Sequence, residues 1–187
     1  GSYVIIPANS TTVDMTVTIV VDNIYEGSET VVATISNATT TTTAGIESLT
    51  ITTPSAIGTI VDDNGTLDSD KPTVSISVNP AQVAEGDVAG QEATMTYTVA
   101  LTNPSATDTK VYVNLNGQAQ TADYTVDGLS SDANGSYVTI PAGQTSVDFT
   151  VTTIVDNTYE GSETVVATIS NATTNGTESL VITTPSA

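Results

Sequence analysis

"YEGSETVVATISNATT" occupies Tyr25–Thr40, and the same sixteen residues return unchanged at Tyr159–Thr174. In the second copy Val165, Ala167 and Ile169 alternate with Val166, Thr168 and Ser170. Successive side chains of a strand point to opposite faces, so an apolar row at every second position, with Thr and Ser between, predicts a strand with one buried and one wet face. The identity extends outward on both sides. Gly1–Ala56 matches Gly135–Ala187, and the second copy is three residues shorter, the loss falling in a Thr-rich stretch read as an exposed loop. A period this long, with this identity, marks a tandem array of whole domains and not a solenoid of small units.

The same two-residue period recurs along the chain. It runs through Val74, Ile76 and Val78; Met95, Tyr97, Val99 and Leu101; Val111, Val113 and Leu115; Val138 and Ile140; and Val147, Phe149 and Val151. Between these rows lie turn clusters such as "TNPSATD", "SSDANGS" and "NATTNG". Seven or eight strands with turns every 8–12 residues predict an all-β chain of Ig-like antiparallel β-sandwich modules in tandem. Residues 1–65 read as the C-terminal part of one repeat, ending in the acidic linker "VDDNGTLDSDKPTV". Residues 66–187 read as the next repeat without its last strand, the counterpart of Ile57–Asp63. Ten residue steps from Asp63 to Thr73 reach at most ~36 Å, too taut for that strand to return and close the second repeat. The expectation is therefore that parts of neighbouring molecules complete the sandwiches, by strand or half-domain complementation, or that the chain belongs to a longer assembly.

Composition narrows the function. The 187 residues carry 21 Asp and Glu against two Lys, Lys71 and Lys110, for a formal net charge of −19. Such a chain repels nucleic acids and anionic membranes, so neither is an expected partner. No run of 18 apolar residues predicts a membrane span. His, Cys and Arg are absent, and a Ser nucleophile has no evident base, so no enzyme is predicted. With no disulfide available, something else must rigidify the chain in an extracellular setting.

The acids themselves suggest what. "VDNIYEGSET" and "VDNTYEGSET" place Asp22, Glu26 and Glu29, then Asp156, Glu160 and Glu163, in a Gly-containing loop between two strands. Two carboxylates ~4 Å apart repel by about 1 kcal/mol even in bulk water. Ca²⁺ offsets that repulsion, because it takes 6–8 oxygens in loose geometry, often from carboxylates. The linker acids Asp68 and Asp70 are expected to bridge neighbouring repeats at the metal end. Tyr25 and Tyr159 are expected to pack under their own loop. The sequons at Asn9, Asn37, Asn64, Asn134, Asn171 and Asn175 read as turns, where Asn tolerates left-handed backbone.

"VAEGD" at Glu85, "TADYT" at Asp123, the two "VDNxYEGSE" loops and "GTIVDDN" at Asp62 and Asp63 together resemble the signature of Calx-beta domains. The chain is also similar to the extender modules of giant RTX adhesins. The pattern departs in one place: a single Asp, Asp22 or Asp156, stands where the family often has a pair. The resemblance implies a Ca²⁺-binding β-sandwich in which Glu85, Asp123, Asp156, Glu160 and Glu163 converge at one end, joined by a terminal Asp-Asp pair. It implies the same for Asp22, Glu26 and Glu29 with Asp62 and Asp63. It further implies a structural stalk on a bacterial cell surface, serving attachment or biofilm formation, with neighbouring repeats as partners. Two alternatives stay open. One is an adhesive module that binds a ligand, and the other a repeat subunit of an extracellular filament or surface layer.

Overall fold

The computed structural model describes residues 2–61, 70–86, 88–156, 158, 161–174 and 178–187. Among these are fourteen strands. The first four are β1 (Glu29–Thr34), β2 (Thr39–Thr42), β3 (Gly45–Ser48) and β4 (Ser55–Ile60). The long strands of the second copy are β5 (Thr73–Asn79), β6 (Thr94–Leu101), β7 (Thr109–Gly117), β10 (Gly135–Ile140), β11 (Ser146–Thr153) and β12 (Val165–Thr174). Shorter ones are β8 (Tyr124–Asp127), β9 (Ser130–Asp132), β13 (Glu178–Ser179) and β14 (Val181–Thr184).

Residues 70–187 form two five-stranded sheets, ordered β13-β12-β7-β10-β9 and β14-β5-β6-β11-β8. Pairing is antiparallel throughout except between β14 and β5. Every apolar row read from the sequence lands in the space between the sheets. Val74, Ile76, Tyr97, Val99, Val111, Val138, Ile140, Phe149, Val151, Ala167 and Ile169 are buried there, with Val78, Met95, Leu115, Val147 and Val165 packed at the margin. The rings of Tyr97 and Phe149 stack at 5.0 Å, one cross-strand pair of β6 and β11. The β-sandwich is thus the consequence of period-two rows on six strands, each too apolar on one face to stand alone.

Two stretches read as turns are partly strand: the turn of "SSDANGS" is confined to Ala133–Asn134, and Asn175 and Gly176 of "NATTNG" lie outside the described residues. β9 lies within "SSDANGS", its three exposed residues held by backbone pairing to β10 rather than by any apolar side chain. β12 runs on through "NATT", where a register shift between Ser170 and Thr173 accommodates Asn171 at φ 48°. Asn37, at the same position of the first copy, has φ 53°. The left-handed backbone expected of the sequons is present at Asn9, Asn37 and Asn171 but not at Asn134, while Asn64 and Asn175 lie outside the described residues; at Asn171 it makes a bulge inside a strand. Asn9, at φ 66°, stands where the second copy has Gly143 at φ 75°, the two residue types that adopt this conformation most readily. The Thr-rich stretch is exposed, as expected, but only Thr43–Ala44 are turn and the rest is strand. It forms the hairpin β2–β3, pairing Thr39 with Ser48, as Thr173 pairs with Ser179 in the second copy.

The first copy has the pairs β1–β4 and β2–β3, and no strand is assigned over residues 2–24. β4 stays with its own repeat, in register with β1 from Glu29↔Ile60 to Thr34↔Ser55. Positions buried in the second copy are bare in the first. Met15 is 62% exposed where Phe149 is 1%, and Ile6 is 52% exposed where Ile140 is 0%.

Candidate metal centre

The described residues of the two acidic loops share two features. Asp22 accepts a hydrogen bond from Ile24 N at 2.9 Å, and Asp156 from Thr158 N at 2.6 Å. This short-range turn commits one carboxylate oxygen to the backbone. Gly27 (φ 74°) and Gly161 (φ 83°) then reverse the chain in the left-handed region, which is why a glycine separates the two glutamates.

In the second copy Glu85, Asp123, Asp156 and Glu163 line one cavity, at the end of the sandwich where β5 and β11 finish and β6 and β12 begin. Asp123 is held by a tight turn: its N–H donates to Gln120 O at 3.0 Å while its carboxylate accepts from Gln120 N. Partial desolvation pushes the Glu163 carboxyl above its ordinary value, and the hydrogen bond and charge of Asp123, with the charge of Glu85, push it further. Protonation is one way such a cluster relieves like-charge repulsion, and a cation is the other.

In the first copy Asp22, Glu26 and Glu29 line a second cavity, and Asp70 of the linker lines it too. Asp70 Oδ1 is buried and has no hydrogen-bond partner among the described residues. A buried carboxylate oxygen without a donor is costly, and such an orphan fits a site for a cation. As they stand, no three acidic side chains among the described residues are close enough to hold one ion. Asp62, Asp63, Asp68 and Glu160 lie outside the described residues.

The sequence reading missed what the loop does with its tyrosine. Tyr25 does not pack under its own loop. It is 2% exposed because it is buried against the second copy. Its N–H donates to Pro104 O at 3.0 Å, Ala106 N donates to its carbonyl at 2.9 Å, and its hydroxyl donates to Glu178. Lys71 Nζ lies 5.7 Å from the ring centroid and 3.5 Å from Glu178. The socket loop, Pro104–Ala106, follows β6 at the end of the sandwich opposite Glu163. Ser105 and Thr174, both buried, bond each other at 2.7 Å beneath it. Tyrosine in an acidic loop carries no sign in the sequence of which module it faces, because the contact is with residues about 80 and 150 positions away. Tyr159 lies outside the described residues.

Against known protein families, the chain matches the Calx-beta domain over residues 4–64 and again over 68–187. The chain belongs to the Calx-beta domain family. Calx-beta domains are non-catalytic β-sandwiches associated with calcium binding. The two sheets of residues 70–187 fit the β-sandwich of the Calx-beta family. No curated protein matches this Calx-beta chain significantly along its sequence.

Proposed function

We propose that the chain is a Ca²⁺-rigidified stalk segment of a secreted bacterial surface adhesin of the RTX kind, and that its work is mechanical. The observation that carries this reading is at the joint. The loop whose Asp22, Glu26 and Glu29 line one cavity with Asp70 also plants Tyr25 in the next repeat. Residues that would hold Ca²⁺ here are Asp22, Glu26, Glu29 and Asp70, with the neighbouring Asp62, Asp63 and Asp68 of the linker. In the second copy they are Glu85, Asp123, Asp156 and Glu163, with Glu160 beside them in sequence. The ion supplies positive charge and oxygen coordination, cross-linking carboxylates that otherwise repel. The chain's own part is to bring the acids together with Asx turns and left-handed glycines, and to tie the acidic loop across the joint by backbone hydrogen bonds.

A stalk also fits the outer surface. An aromatic pair on the outer face, Tyr112 and Tyr137, has its rings covered by Lys110, whose Nζ is 3.7 Å from the Tyr137 centroid and which pairs with Asp132. Rings already engaged by a cation offer little platform for a ligand. The extracellular location follows from the metal reading, since weak Ca²⁺ modules work at the millimolar ion levels found outside cells. The test is thermal unfolding of the chain in millimolar Ca²⁺, in millimolar Mg²⁺ and in chelator. The expected result is a midpoint markedly higher in Ca²⁺ than in the other two. The same midpoint in all three would falsify the reading.

A further inference from the structure

Asp123, Asp156 and Glu163 belong to different segments, and the loop of residues 118–123 is pinned to the segments of the other two. Thr164 O, next to Glu163, accepts from Gln118 N at 2.9 Å and from Ala119 N at 3.2 Å. That fixes the start of the loop on one sheet. Its end is fixed on the other: Ile154 N, two residues before Asp156, donates to Asp123 O at 2.7 Å. The loop thus crosses the end of the sandwich, from the start of β12 to the end of β11, and its Asp123 lines the same cavity as Asp156 and Glu163. No residue of 118–123 is buried, so backbone hydrogen bonds and not packing hold it there against the repulsion of like carboxylates.

A carbonyl that accepts from two successive N–H groups needs the chain close against it. Gly117 allows that approach. It ends β7 opposite Val165, at φ 130°. A Cβ built there would lie 2.0 Å from Thr164 O and 2.8 Å from Thr164 C. Both are backbone atoms at the start of a ladder, so neither can turn aside as a side chain would. Any residue but glycine must push the end of β7 away from Thr164, and the two N–H groups with it. Gly135 has nearly the same backbone, at φ 127°, yet a Cβ there would meet nothing within 4 Å among the described residues. The backbone demand is common to both glycines, and the close approach is particular to Gly117. We propose that Gly117 is a positioning residue for the metal centre of the second copy: by letting Gln118 and Ala119 close on Thr164 O, it keeps Asp123 at the cavity of Asp156 and Glu163. The proposal rests on the Ca²⁺ reading above. Gly117 touches no ion in this role. It fixes the segment that carries a ligand, as outer-shell groups of metal sites do.

The test is amide exchange of the full chain across a Ca²⁺ titration. The Ile154 N–H, bonded to Asp123, reports on the second copy, and the Ala106 N–H, bonded to Tyr25, reports on the joint. In Gly117→Ala the Ca²⁺ concentration that half-protects Ile154 is expected to rise about tenfold or more, with the Ala106 midpoint unchanged. Gly135→Ala carries the same backbone strain without the contact, and is expected to keep both wild-type midpoints. Ala119→Pro removes one of the two donors to Thr164 O, and should raise the Ile154 midpoint as well; it decides the matter if Gly117→Ala does not fold. A wild-type Ile154 midpoint in Gly117→Ala overturns the proposal and leaves the Ca²⁺ reading standing. So does an equal shift in Gly117→Ala and Gly135→Ala, since strain alone would then account for it, and so does a wild-type midpoint in Ala119→Pro. A wild-type chain whose Ile154 protection ignores Ca²⁺ overturns the Ca²⁺ reading of this site and the positioning role together.

Discussion

Only two lysines stand against 21 acids, and both sit on tyrosine rings. Lys110 holds the Asp132 carboxyl below its ordinary range by a direct hydrogen bond. Lys71 is one wall of the Tyr25 socket, together with Glu178. Tyr25→Ala is expected to weaken the joint by about 3 kcal/mol, the usual cost of deleting a buried ring. Tyr25→Phe, which loses the hydroxyl alone, should cost about 1–2 kcal/mol. Amide exchange checks this: Ala106, which donates to Tyr25 O, should lose protection in Tyr25→Ala and keep most of it in Tyr25→Phe. Glu163 provides a pH test. Its folded value is raised, so folding takes up a proton there. Its contribution to stability is fully present below the unfolded carboxylate value and is lost as pH rises through the raised one. In chelator the chain should therefore melt lower at neutral pH than in mild acid. Glu163→Gln should flatten that dependence, and Ca²⁺ should remove it. Melting curves from pH 4 to pH 8 decide the matter, and a profile unchanged by Glu163→Gln would assign the dependence to bulk charge.

At the scale of the strand, the repeat offers its own mutant series. β11 carries Phe149 where the first copy has Met15, and only Phe149 stacks on a partner, Tyr97. Phe149→Met should be a mild change, about 1 kcal/mol, because volume is nearly kept and the stacking is lost. Phe149→Ala should cost about 3–5 kcal/mol. Denaturant titration measures both, and equal costs would mean that the ring pair, not the filled volume, carries the stability. The rows on β5, β6, β7, β10, β11 and β12 were legible because the strand period is two and each row faces the same core. β9 and β13 were not, since their residues are polar and only backbone pairing makes them strands. The acid sites were half legible. The loop motif names Asp156 and Glu163, but Glu85 and Asp123 come from separate loops, and family resemblance rather than spacing joined them to the set.

In the whole molecule the joint and the acid-lined cavity of the first copy share one loop, so the proposed metal binding and the stiffness of the chain become one question. In Ca²⁺, Asp70→Asn should loosen the angle between the two parts while the second sandwich stays folded. Small-angle scattering should then show a maximum dimension different from that of the wild-type chain, as chelator should for the wild type. An unchanged profile for both would leave Asp70 as a solvated linker residue that merely lines the cavity. Asp123→Asn should weaken Ca²⁺ binding measured by calorimetry, while Asp148→Asn should not. Asp148 sits on the wet face of β11, accepting from Thr98 at 2.7 Å, away from the cluster.

What the sequence determined by itself is what local periodicity and duplication encode. It specified strands with one apolar face, hence a sandwich, and it specified the paired acidic loops with their glycine reversals. These depend on residues within a few positions of one another, so they can be read along the chain. What only the tertiary structure decided is every relation across distance. It set Tyr25 into Pro104–Ala106 and brought Asp70 to the cavity of Asp22, Glu26 and Glu29. It also buried Phe149 while leaving Met15 bare in a near-identical setting. Burial is a property of what lies opposite, and the same sixteen-residue stretch is core or surface according to whether a second sheet covers it.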